Sequence, residues 1–170
     1  MKKEEIKKVI EEAFNGVTLD GGISLEQTKV IDNYRRGISD DEFIALPNNE
    51  VTNNWKEIPN SKLDEAECLA HFDRKGFRYY IPALMLRLLG NYDTDSMMTI
   101  GTLSILYPKT ETWSYLYTLL TKQQYQAIAL FLKELPNLVE LDTFEDRKVV
   151  DRAFKNYWSK FVTENELDTL

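Results

Sequence analysis

Residues 71–90, HFDRKGFRYYIPALMLRLLG, carry the densest apolar run in the chain, and any fold must be built around it. Between Phe77 and Leu89 the only charges are Arg78 and Arg87. A helix that is apolar on nearly every side belongs inside a core. Pro82 suits the first turn of a helix, where its missing N–H costs nothing. A buried central helix is therefore expected over 82–89. The aromatic stretch FRYYI before it reads as a short strand or an extended entry. DRKG (73–76) reads as a turn in which Gly76 is free to take a positive φ. Phe77, Tyr79, Ile81, Leu84, Met85 and Leu88 are the expected core. Arg87 interrupts the run, which falls far short of the roughly 20 residues a membrane span needs.

The flanking sequence is helical in pattern. Ile6, Val9, Ile10, Ala13 and Phe14 recur at i, i+3, i+4, i+7 and i+8, one face of a helix over 2–14, with Gly16 where a C-cap belongs. LDGGIS is a turn. Ser24 with Gln27 then forms a capping box for a helix reaching about Tyr34. RRGIS breaks it, and Ser39 with Glu42 caps a short helix ending before Pro47. Residues 47–60 are loop-like, with Trp55 and Ile58 as core anchors. Ser61 and Asp64 open a helix through about Leu69. Thr121 with Gln124 repeats the capping box and opens a helix through about Leu135, ended by Pro136. Thr143 caps the last helix, whose stripe is Val150, Ala153, Phe154, Tyr157, Trp158 and Phe161. Residues 91–120 are the hardest to read, and TIGTLSILYPK has the β-branched content of a strand. The expectation is a mostly α, single compact domain (1–170) of six or seven helices. A short strand pair or hairpin is expected near 77–81 and 98–107. The C-terminal helix within 136–170 should pack on the rest.

Composition narrows the partners. The net charge is −7 with a pI near 4.9, and 29% of residues are charged. Nucleic-acid binding works by neutralising phosphates with Lys and Arg, so nucleic acid is not expected. An anionic membrane surface would repel the chain for the same reason. Cys68 is the only cysteine, so no internal disulfide forms and a reducing compartment fits. The start, MKKEEIKKVIEEAF, lacks the apolar segment of a signal peptide. A cytoplasmic setting is expected.

Four stretches carry a resemblance. AFNGVTLDGGISLEQTKVIDNY (13–34), WKEIP (55–59), FDRKGFRYYIPALM (72–85) and LLTKQQYQAIALFL (119–132) together resemble the DUF6714 family of small bacterial proteins of unknown function. Order and spacing agree over roughly 13–132. Gln27 departs from the acid more usual there, and Tyr79–Tyr80 is a mild variation. The tail from 137 onward falls outside the resemblance, which implies a family and no activity.

Candidate sites are few. His71, the single histidine, and Cys68 would share one helical face, the residue types of a Cys–His dyad. The plainer reading is a helix-terminal histidine beside a small, buried, unreactive cysteine. One His and one Cys are too few for a zinc site, so no metal and no cofactor are expected. Asp73, Arg78, Tyr79 and Tyr80 form the best constellation. An Arg in an apolar neighbourhood needs a carboxylate, and Asp73 or Asp32 is nearest by type. These residues would either bind a polar or anionic group or make a structural ion pair. DGGIS lacks the following Lys of a phosphate loop and reads as an ordinary turn. The Met97–Met98 pair reads as packing. No catalytic signature appears, and the leading expectation is a non-catalytic protein-binding module, with an immunity-like protein as its concrete version. The expected partner is a protein, a basic one suiting the acidic surface, and the oligomeric state is left open. The alternative is an enzyme or small-ligand binder around Asp73, Arg78, Tyr79 and Tyr80. A closed polar pocket at Arg78 would favour the alternative. A flat acidic face with exposed aromatics would favour protein binding.

Overall fold

A computed structural model describes residues 1–108, 114–141 and 143–162. Among these the secondary structure is helical throughout: α1 (Lys3–Ala13), α2 (Leu25–Asp32), α3 (Asp40–Ala45), α4 (Asn60–Asp64), α5 (Arg74–Gly90), α6 (Met97–Ile105), α7 (Lys122–Leu138) and α8 (Phe144–Asn156). Short 3₁₀ turns at 46–49, 55–57, 69–71, 115–117 and 158–161 connect them. No described helix is long and apolar enough to cross a membrane.

The cap chemistry read from the sequence is what starts these helices. Ser24 Oγ accepts from the Gln27 N–H and Thr121 Oγ1 from the Gln124 N–H, each with the reciprocal capping-box bond. Ser39 with Glu42 does the same for α3, and Thr143 caps α8 through the Asp146 N–H. Gly16 lies past α1 at φ +72°, a conformation glycine takes without strain.

The expected short strand pair is not there. Residues 77–81 lie inside α5, and 98–107 lie mostly in α6. Most of the β-branched residues of α6 face the core on a helix: Thr99, Thr102 and Ile105 are buried, while Ile100 faces outward. Burial overrides strand propensity, which is itself largely a measure of packing on a half-buried surface.

The central helix starts eight residues earlier than Pro82 suggests. Asp73 is its N-cap, with Oδ1 accepting from the Gly76 N–H at 2.8 Å. Pro82 therefore sits in the helix interior, where it removes the donor that would have reached the Arg78 carbonyl. The helix continues because it is buried on nearly all sides; Phe77, Tyr79, Tyr80, Ile81, Leu84, Met85 and Leu88 are all essentially inaccessible. Pro136 likewise lies within α7 rather than ending it. The helix opened near Ser61 is short, α4 stopping at Asp64, and a 3₁₀ turn follows at Leu69–His71. The last helix also divides. At Tyr157 the backbone leaves the helical region, and Trp158–Phe161 forms a separate turn.

Around α5 the layers are simple. α1 packs on α7, α7 on α8 and the 158–161 turn, and α6 on α5, α8 and the 69–71 turn. Aromatic contacts carry the core outward: Phe77 meets Tyr117 at 5.2 Å, Tyr117 meets Trp158 at 4.8 Å, and Tyr125 stacks on Phe161 at 4.4 Å. The indole N–H of Trp158 donates to the Leu106 carbonyl at 2.7 Å, and that of Trp55 to the Phe14 carbonyl at 2.8 Å.

Candidate functional site

The five residues expected to form a site are divided among separate tasks. Asp73 is structural. Besides capping α5, its Oδ1 accepts from the Ile23 N–H at 2.9 Å, which fastens the DGGIS turn to the start of α5. Lys75 Nζ adds a bond to the Asp20 carbonyl at 2.7 Å. The contact is very close. A Cβ on Gly76 would lie 2.3 Å from the Ile23 carbonyl oxygen, and one on Gly22 would lie 2.6 Å from the Gly76 nitrogen. Gly76 is thus needed for its lack of a side chain and not for a positive φ, which it does not adopt.

Arg78 is half-buried, and its hydrogen-bond partner among the described residues is an amide rather than the expected carboxylate. Its Nε donates to Gln124 Oε1 at 3.1 Å. Gln124 is buried, also accepts from the Thr121 N–H, and donates from Nε2 to the Ala13 carbonyl at 3.1 Å. Arg78 therefore supports the junction of α1, α5 and α7. The signal for this partner was present in the capping box but pointed only to a helix start.

Tyr79 and Tyr80 lie in the core. Tyr79 donates to the Val51 carbonyl at 2.7 Å and Tyr80 to Glu50 Oε2 at 3.1 Å. Phe72 stacks on Tyr80 at 5.2 Å, and the two tyrosines meet edge to face at 4.8 Å. Burial pushes the Tyr79 phenol up to about 12, and burial with the neighbouring Glu50 pushes Tyr80 up further. Neither works as an acid or base near neutral pH.

Asp32 belongs to a different group. Its Oδ1 lies 3.0 Å from His71 Nε2, and His71 with the nearby Cys68 thiol holds the Asp32 carboxyl below the usual range. Cys68 is half-buried rather than fully buried and takes a left-handed conformation at φ 58°. Here the carboxylate engages the histidine, and among the described residues no hydrogen bond joins the histidine to the thiol. Burial, with Asp32 and Glu67 nearby, pushes the thiol up. A nucleophilic cysteine needs the reverse, a stabilised thiolate. The group clasps α2 to the 69–71 turn. No set of three His, Cys, Asp or Glu residues among the described residues is arranged to hold a metal ion.

Two surface features went unread in the sequence. The first is an arm over 33–46. Tyr34 and Arg35 both adopt left-handed backbone, at φ 54° and 55°, and α3 buries none of its residues. The arm is nonetheless held in place. Gln27 Nε2 donates to the Phe43 carbonyl at 3.0 Å, Arg35 lies over the Phe43 ring at 4.1 Å, and Arg35 pairs with Asp40 at 2.6 Å. It presents Tyr34, 82% exposed, and Ile44, 70% exposed, beside Asp40, Asp41 and Glu42.

The second is a cleft of about 480 Å³ between residues 64–67 and 91–98, lined by Asp64, Glu65, Glu67, Asp93, Met97 and Met98 among others. Met98 packs inward as expected, but Met97 is exposed.

The model of a family of unknown function (DUF6714) matches residues 2–162 of the 170. The match takes in α1 and the C-terminal α8, so the tail lies inside the family pattern and not outside it as the quoted stretches suggested. No curated protein and no solved structure gives a match.

Proposed function

The chain belongs to DUF6714, and from the surface it presents we propose that it acts as a non-catalytic protein-binding module. The observation that carries this reading is the arm at 33–46. A bulky residue in left-handed backbone is strained by about 1–3 kcal/mol, and strain of this kind collects at functional sites. Here two successive residues bear it, and the result is a tyrosine and an isoleucine held out into solvent on an acidic segment. Exposed apolar side chains rimmed by charge mark contact surfaces. The enzyme or small-ligand reading draws no comparable support, since Asp73, Arg78, Tyr79 and Tyr80 each serve a structural bond.

We read the setting as cytoplasmic, because a single cysteine fits a reducing compartment. The source is read as bacterial, as the resemblance implied. An immunity-like protein covering a basic partner is one version of this function. The test is capture from lysate of the source cell at low and high salt, comparing the intact chain with Tyr34→Ala/Ile44→Ser. A discrete partner retained by the intact chain and lost from the variant is expected. Capture of nothing at either salt, or identical capture by both chains, would refute the reading.

A further inference from the structure

α6, MMTIGTLSI, contains no charged residue. Its inner side is covered: Met98, Thr99, Thr102, Leu103 and Ile105 are buried. Its outer side is not polar, as a surface helix normally is. Met97 is 58% exposed and Ile100 is 46% exposed, and they stand three residues apart on one stripe. A helix apolar on both sides is normally covered on both, and among the described residues the outer side is left open.

The acidic cleft lies at the N-terminal end of this stripe, and Met97 belongs to both. Four carboxylates line it. Asp64 is held by Arg87 in a two-pronged pair at 2.6 and 2.8 Å, and Glu65 lies 4.0 Å from Lys62. Glu67 and Asp93 are exposed and have no cation within 4 Å among the described residues.

We infer that the outer side of α6 and the adjoining cleft dock a basic, partly apolar segment of another protein. A lysine or arginine side chain would enter between Glu67 and Asp93, and a neighbouring apolar side chain would cover Met97 and Ile100. The inference rests on the reading of the chain as a protein-binding module and adds a second contact with a stated chemistry. Charge selects this occupant. A second copy would bring another acidic cleft at a net charge of −7, and an anionic lipid surface is repelled in the same way. Methionine beside a charged cleft suits a side chain of variable shape, because its unbranched thioether adapts to what it meets.

The four methionines make the test direct. The full chain is labelled with ¹³C-methyl methionine and titrated with a short synthetic amphipathic peptide of Leu and Lys. Controls carry Glu in place of Lys, or Ser in place of Leu. The expected result is that the Met97 and Met98 signals move while those of Met85, in the core, and Met1, beside Glu134, stay. Glu67→Gln/Asp93→Asn should weaken binding by about tenfold or more. Asp93→Asn keeps the oxygen that accepts from the Asp95 N–H, and Met97→Ser, which removes apolar surface without adding charge, provides an independent variant at an exposed position that should also bind the peptide more weakly. The Glu peptide should not bind, and the Ser peptide should bind more weakly. A still Met97 signal, unchanged affinity in both variants, or equal binding of the Glu peptide would overturn the inference. Lysate capture separates the two ideas. If the partner is captured equally by the cleft variants and the Leu/Lys peptide is ignored, the docking inference fails while the arm reading stands. If the peptide binds as described and Tyr34→Ala/Ile44→Ser still captures everything the intact chain does, the reverse holds.

Discussion

At Gly76 a single hydrogen atom decides whether two segments meet. The Ile23 carbonyl occupies the space any side chain would need, and Gly22 meets Lys75 and Gly76 from the other direction. Gly76→Ala should therefore destabilise the chain by at least about 1–3 kcal/mol, the usual range for overpacking, because the obstructing atom belongs to the backbone. Gly90→Ala is the matched control. It ends the same helix with nothing near its missing Cβ, and it should stabilise by about 0.4–1 kcal/mol through the unfolded state. Urea unfolding of the two variants checks both signs, and a Gly76→Ala chain as stable as the parent would refute the close contact. The sequence showed a glycine in a polar turn and suggested conformational freedom. The real requirement depends on residue 23, more than fifty positions away, and no local pattern encodes it.

Among the elements, those begun by a side-chain cap were legible and those set by burial were not. Ser24, Ser39, Thr121 and Thr143 announce α2, α3, α7 and α8 because cap and capped N–H lie within four residues. Local pattern starts α5 too late because a helix-interior proline normally costs about 3 kcal/mol, and only tertiary burial outweighs it. The β-branched residues of α6 point to a strand or hairpin; the informative signal is its complete lack of charge. The candidate site was legible as residue types but not as partners, since Arg78 and Gln124 are 46 positions apart. The clasp between α2 and the 69–71 turn yields a test in acid. The His71 hydrogen bond, and then the Cys68 one, holds the Asp32 carboxyl below its ordinary 3.8. A group depressed in the folded state contributes stability above its unfolded value, and that contribution is lost as pH falls through the folded one. Asp32→Asn should thus be less stable than the parent at neutral pH and equal to it in strong acid. Denaturant midpoints measured across roughly pH 2–7 show this. A constant gap down to the lowest pH would argue that the carboxylate's charge plays no part.

For the molecule as a whole, the C-terminal segment is part of the core. Trp158 is fully buried, contacts Tyr117, Tyr125, Tyr157 and Phe161, and donates to the Leu106 carbonyl. Trp158→Ala should cost about 3–5 kcal/mol. A thermal melt unchanged by the substitution would mean that the segment is an independent arm. The contact between α1 and α7 has a consequence for how the chain is made. α1 is amphipathic, with Ile6, Ile10 and Phe14 inside, yet the helix it lies against comes late, and Gln124 reaches Ala13 across 111 positions. Closing so long a loop is entropically costly and slows folding. During synthesis from the N-terminus, α1 leaves the ribosome with its apolar stripe uncovered. α5, which it also packs on, follows at mid-chain, but α7 is not made until most of the polypeptide has been translated, and only then can the stripe be fully covered.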